Sequence, residues 1–227
     1  MLAVATALDV SKFDLRAASD AIKNAAGSET VEIRNAAHLH GLCAGLKSGE
    51  HVIVGDACDY LGVLNDGATI RVHGNVGQYV GDNMTRGLIV VEGNAAYGAG
   101  LYPYGGTLVV RGNAGDFTAT MNKGATIIVC GNVGDEAATY HLAGDLVVVG
   151  NAGLNFGNYL IRGTLYLGGV MKSQGHNTRV EELTRDDLFK LQHYCEQYDV
   201  DTDLNRFKKI VALTAKPFYG KIVKRHE

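Results

Sequence analysis

Residues 70–77 read IRVHGNVG, residues 89–96 read IVVEGNAA and residues 108–115 read LVVRGNAG, each phrase starting nineteen residues after the last. Aligned on the glycine of the Gly-Asn pair, the repeat runs through Gly55, Gly74, Gly93, Gly112, Gly131, Gly150 and Gly169. Asparagine follows at Asn75, Asn94, Asn113, Asn132 and Asn151, and Asp56 takes that place in the first copy. Upstream stands an alternating pair: Ile70/Val72, Ile89/Val91, Leu108/Val110, Ile127/Val129, Leu146/Val148 and Leu165/Leu167. A second glycine opens each unit at Gly49, Gly67, Gly87, Gly106, Gly124, Gly144 and Gly163, and its spacing varies as a loop position would.

Alternation of period two is the mark of a short strand with one buried face. A unit of about nineteen residues cannot bury that face alone and must stack on its neighbours. Identical connections make the strands parallel, and one turn of a coil supplies the crossover. The reading is an all-β solenoid, a right-handed parallel β-helix of about seven 19-residue coils. With a rise of about 4.8 Å per coil, the stack would stand about 30–35 Å tall. The corner glycines are expected to adopt positive φ. The asparagines are expected to form a ladder of stacked amides. This frame accounts for the composition, 30 glycines against 2 prolines and no tryptophan.

Outside the regular coils the pattern changes. Residues 14–27, DLRAASDAIKNAAG, carry Leu15, Ala18, Ile22 and Ala25 at helical spacing with Gly27 as a stop. Residues 31–45, VEIRNAAHLHGLCAG, read as an irregular first coil in which Asn35-Ala36 replaces Gly-Asn. Near the C-terminus a capping box at Thr184 and Asp187 opens a helix with Leu188, Leu191 and Cys195 on one face. Leu204, Phe207, Ile210 and Val211 suggest a second helix. Short terminal helices would cap the open ends of the stack. The organisation is therefore an N-terminal helix and irregular coil over 1–48, β-helix repeats over 49–170 and a helical tail over 171–227.

Several functions are disfavoured. Net charge is −3, too little positive charge for a nucleic-acid partner. The N-terminal stretch has neither a basic n-region nor a long apolar run, so no membrane span and a cytoplasmic location are expected, with Cys43, Cys58, Cys130 and Cys195 as free thiols. The cysteines lack cluster spacing, and no cofactor or metal bound by this chain is expected. His38 and His40 in "HLH" place two ligands on one side of an extended segment with no third nearby. Asp56, Asp82, Asp116 and Asp135 read as turn formers. No catalytic constellation emerges. The irregular loop YGAGLYPYGG at 97–106 is the candidate partner interface, carried by Tyr97, Tyr102 and Tyr104.

The glycine-rich coils, as in GDACDYLGVLNDGATIRVHGNVGQYVGDNMTRG (55–87) and GNAGLNFGNYLIRG (150–163), resemble the GXGXG β-helix domain at the C-terminus of the glutamate synthase large subunit. Residues 31–45 resemble that domain's opening segment, and VEELTRDDLFKLQHYCEQYDVDTDLNRFKKIV (180–211) its closing helices. The resemblance implies a non-catalytic scaffold that positions a class II amidotransferase-like subunit and a flavin/iron–sulfur synthase-like subunit. FMN and the iron–sulfur clusters would reside on a partner. A chain that starts at its own Met1 further resembles the split glutamate synthase-like systems, N-methylglutamate synthase among them. The β-helix component of formylmethanofuran dehydrogenase shares such coils, but the tail favours the glutamate synthase side. A free-standing β-helix enzyme is the remaining alternative. The family offers no catalytic residues to carry over.

Overall fold

The structure is a computed structural model that describes residues 6–25 and 30–216. Gly27, the expected helix stop, lies outside the described residues. Strands β1 (Thr6–Asp9), β2 (Val31–Arg34), β3 (Glu50–Val54), β4 (Asp66–Val72), β5 (Arg86–Val91), β6 (Thr107–Val110), β7 (Lys123–Val129), β8 (Ala143–Val148) and β9 (Thr164–Leu167) pair in parallel, each with the next. The described residues form a parallel β-solenoid of about seven coils with two short helices, α1 (Leu15–Ala25) and α2 (Arg185–Tyr198).

The alternating pairs form the interior. Ile70 stands opposite Ile89, then Leu108, Ile127, Leu146 and Leu165, and Val72 heads a parallel column that ends at Leu167. All are buried, and full burial of each such side chain contributes about 1.5–3 kcal/mol. A second ladder of single bridges runs through Ala57, Val76, Ala95, Ala114, Val133, Ala152 and Met171, just after the corner asparagines. Ala18 and Ile22 of α1 join the same interior cluster, so this helix covers the N-terminal end.

The corner glycines have a different cause from the one expected. Of the seven, only Gly55 has positive φ. The others are glycine because the coils touch there. A Cβ on Gly112 would collide with Asn94 Oδ1 and lie 2.7 Å from the Gly93 carbonyl oxygen. Positive φ belongs instead to the second glycine, the one that leads into each strand.

The expected second tail helix is also corrected. Leu204–Arg206 form one 3₁₀ turn, capped by the Asp203 side chain accepting from Asn205 N–H, and Lys208–Ala212 form a strand, β11. The stretch KKIVA carries two adjacent β-branched residues, and the unpaired edge of β9 offers a partner that an isolated helix lacks. β11 pairs antiparallel with β9 and with β10 (Thr178–Glu181). The C-terminal end is thus closed by strands.

Helix α2 lies on the flank rather than the end. Leu191, Val200 and Phe207 pack on Val90, Val109, Ile128, Val147 and Tyr166, the outward residues of β5–β9. Thr184 and Asp187 form the expected capping box, and Asp199 ends the helix in the left-handed conformation, its carbonyl accepting from Arg111 Nη1 at 2.6 Å.

Candidate interaction face

Between the corner and the next strand, each coil crosses a turn face on which three alternate residues are left-handed. Tyr60, Gly62 and Leu64 occupy these places in one coil, and Tyr79, Gly81 and Asn83 in the next. The series continues through Gly98, Gly100 and Tyr102, then Phe117, Ala119 and Met121, then Glu136, Ala138 and Tyr140, and ends with Asn155, Gly157 and Tyr159. Gly41, Cys43 and Gly45 begin it. A bulky L-residue in this region costs on the order of 1 kcal/mol.

The neighbouring coils hold this conformation in place. Tyr79 N–H donates to the Tyr97 carbonyl on one side, Gly81 N–H to Leu61 on the other, and Asn83 N–H to Leu101 on the first side again. Alternating handedness lets successive amides bond up and down the stack. The middle residue faces inward, where a Cβ on Gly100 would meet Ile127 Cδ1 at 2.6 Å. It is therefore small in every coil. At Cys43, burial pushes the thiol up to about 12.

The outer two left-handed columns, joined by Tyr97 beside Gly98 and His176 beside Asn177, carry the aromatic residues. Tyr60 stacks on Tyr79 with ring centroids 4.8 Å apart, Tyr79 meets Tyr97 edge-on at 5.5 Å, and Tyr97 packs on Phe117 at 5.2 Å. In the neighbouring column Tyr140 stacks on Tyr159 at 5.4 Å and Tyr159 on His176 at 5.5 Å. Between the columns runs an open groove of about 410 Å³ lined by Tyr79, Tyr97, Tyr102, Phe117, Met121 and Tyr140, among others. Tyr97 and Tyr102 therefore share one surface. Tyr104, 55 % exposed, lies under the Lys123 ammonium, which sits 3.9 Å from its ring centroid. The sequence reading missed Tyr60, Phe117, Tyr140 and Tyr159. Tyr60, Tyr79 and Phe117 fall on multiples of nineteen, as do Tyr102, Tyr140 and Tyr159, so the period that located the corners also locates these columns.

At the corners, Asn94 N–H donates to Asn75 Oδ1, Asn113 N–H to Asn94 Oδ1, Asn132 N–H to Asn113 Oδ1 and Asn151 N–H to Asn132 Oδ1, all at 2.8–2.9 Å. Asp56 accepts from Asn75 N–H below, and Val170 N–H closes the run above. Asp116 and Asp135 act similarly one turn on, accepting from Asp135 and Leu154 N–H. The histidine pair of "HLH" is not brought together. His38 Nε2 reaches the Phe13 carbonyl at 3.1 Å, whereas His40 faces Asp59 in the next coil.

Two carboxylates fasten α2. Asp145 accepts from Tyr194 OH at 2.7 Å and pairs with Lys190 at 3.2 Å. Asp187 accepts from Tyr166 OH at 2.8 Å, Lys209 Nζ at 2.7 Å and Thr184 N–H at 2.8 Å. Burial alone would raise the Asp187 carboxyl, but these donors outweigh it and hold it well below the usual carboxylate range. Burial and the bond to Asp187 push the Tyr166 phenol up.

The GXGXG motif family matches residues 53–222. The chain belongs to the GXGXG motif family. No curated protein matches it. In this GXGXG chain the three alternate left-handed positions reproduce the spacing of the motif's glycines, most closely at Gly41-Leu-Cys43-Ala-Gly45 and Gly98-Ala-Gly100. The family assignment supports a glutamate synthase-like relationship. Among the described residues, no helix is long and apolar enough to cross a membrane.

Proposed function

We propose that this chain is the non-catalytic scaffold subunit of a cytoplasmic glutamate synthase-like complex, and that the complex is N-methylglutamate synthase, which converts methylamine and glutamate to N-methylglutamate and ammonia. The chain holds a class II amidotransferase-like subunit and an FMN- and iron–sulfur-bearing synthase-like subunit at fixed separation. The observation that carries this reading is the unbroken interlock of the coils. Side-chain carbonyls from Asp56 to Asn151 each bond the next coil, giving a stiff body roughly 30 Å tall. Rigid positioning of two active sites is where such a body contributes to rate. The aromatic turn face and the exposed Phe189 of α2 supply apolar surface for partners.

Native purification of the chain from its source cells tests the proposal. The expected result is two larger subunits, flavin absorbance, and methylamine-dependent turnover that the isolated chain lacks. A colourless homo-oligomer, turnover by the chain alone, or molybdenum or tungsten in the complex would overturn it.

A further inference from the structure

His40, Cys58 and Asp59 converge on the turn face where the irregular first coil meets the regular stack. Their ligand atoms all lie within 4.8 Å of one another. His40 Nδ1 is 3.4 Å from Cys58 Sγ and 3.3 Å from Asp59 Oδ2. His40 and Asp59 are nineteen residues apart and so occupy equivalent places in consecutive coils.

We propose that these three side chains form a divalent transition-metal site, selective for zinc-like ions, that ties the first coil to the second. The geometry carries the argument. A tetrahedral zinc centre with Zn–S near 2.3 Å and Zn–N and Zn–O near 2.0 Å requires S···N and N···O edges of about 3.5 and about 3.3 Å. The His40–Cys58 and His40–Asp59 separations match those edges, and Cys58 Sγ and Asp59 lie within 4.8 Å of one another. The orientation of one ligand is fixed independently. Asp59 Oδ1 accepts from Gln78 N–H at 2.8 Å, which leaves Oδ2 directed at His40. A ligand held by such an outer hydrogen bond is characteristic of protein metal sites. Cys58 Sγ is 3.4 Å from both ring nitrogens, over the ring rather than along the Nδ1 lone pair, so the exposed His40 ring turns on binding to bring that lone pair onto the shared ion.

The ligand set is one soft thiolate, one imidazole and one carboxylate, which suits zinc over calcium or magnesium. Three protein ligands leave the fourth position to water or to a partner's side chain. Binding would release the Cys58 thiol proton to solvent. The place of the site also matters. The ladder of corner side chains begins at Asp56, and Ala36 in the coil below offers no acceptor. The metal would supply a cross-link where that ladder ends.

The test uses the full chain, stripped of metal and titrated with cobalt(II) and zinc(II). The expected result is one equivalent of cobalt with a thiolate-to-cobalt charge-transfer band in the near ultraviolet, and a rise in melting temperature on zinc addition. Cys58→Ser should abolish the band, and His40→Ala and Asp59→Asn should each weaken uptake by about tenfold or more. Asp59→Asn keeps the oxygen that accepts from Gln78, and metal-free melting curves of all three variants show whether the fold is intact. Absence of stoichiometric uptake, or uptake undiminished in Cys58→Ser and His40→Ala, overturns the proposal.

Discussion

The backbone N–H of Asn113 donates to the side-chain oxygen of Asn94, one coil away, at 2.8 Å. Asn94 in turn reaches back to Asn75 through its own N–H and Nδ2. Each asparagine is thus acceptor for one neighbour and donor to the other. Asn94→Ala would leave the Asn113 amide without its partner, and we expect a loss of about 1 kcal/mol in urea unfolding. An unchanged midpoint would mean that solvent replaces the bond at no cost.

Gly112→Ala should be far more damaging than its backbone suggests. Its φ is not positive, yet a Cβ there would collide with the Gly93 carbonyl and the Asn94 side chain. We expect a loss of about 2–3 kcal/mol, in the range of overpacked cores. Gly45 is the complementary case, with positive φ and open space around a Cβ, and Gly45→Ala should cost about 1 kcal/mol. If the two variants unfold alike, contact between coils is not what keeps glycine at the corners.

His141 links the interior to pH. It is fully buried, its Nε2 reaches the Gly144 carbonyl at 3.2 Å, and its Nδ1 has no hydrogen-bond partner. Burial lowers its pKa to about 4. The unfolded chain therefore binds a proton that the folded chain does not, between about pH 6.5 and about pH 4. Stability is retained above that window and falls as pH drops through it, by about 3 kcal/mol in all. One coil earlier Asn122 occupies the same place and bonds both Ala125 N–H and its carbonyl. His141→Asn should flatten the acid limb of the stability curve while leaving neutral stability nearly unchanged. A variant with the parent's acid limb would show that other groups titrate there.

Asp187 gathers Tyr166, Lys209 and Thr184, and so joins α2, β9 and β11. Asp187→Ala strands a largely buried lysine, and we expect a loss of about 3 kcal/mol. Because the folded carboxyl sits below its ordinary range, the ion pair stabilises fully above that range and weakens as pH falls through it. Hydrogen exchange over Arg185–Tyr198 should accelerate in the variant before the coils open. Exchange that speeds up equally in β5 and α2 would show that the helix and the coils are one cooperative unit.

The aromatic face carries the last expectation. Tyr97→Ala and Tyr102→Ala together should weaken capture of the proposed partner subunits by on the order of tenfold or more, with melting temperature little changed. Retained capture would move the interface to another face, such as that of Phe189.

The coils were legible because period nineteen and period two are both written in the residues. Ile70, Ile89 and Leu108 announce the interior directly. What hid was whatever depends on contacts between coils. The true reason for Gly112 lies in the carbonyl of Gly93, and no local propensity reveals it. The flank covered by α2 had a signal that alternation alone obscures. Outward positions change from Arg71 in β4 to Val90, Val109, Ile128, Val147 and Tyr166 in later strands, and strands apolar on both sides are buried on both sides. The 204–212 segment misled because Leu204, Phe207 and Val211 happen to fall at helical spacing, while the edge of β9 decides its conformation. The third member of the His40 cluster was invisible because Cys58 is remote by eighteen residues in sequence and adjacent only once coils stack.

The reversal of direction at β11 has a consequence for assembly. In-register parallel strands offer a template on which a second molecule could add coils and polymerise, as in cross-β filaments. Here the last parallel strand, β9, is covered by β11 running the other way, and the outermost strand, β10, presents Arg179 and Glu181 along its edge. A newcomer would meet β10, set off from the coils by the reversed β11 and bearing charge along its edge, which blunts edge-to-edge growth. The tail thus makes the solenoid finite at this end.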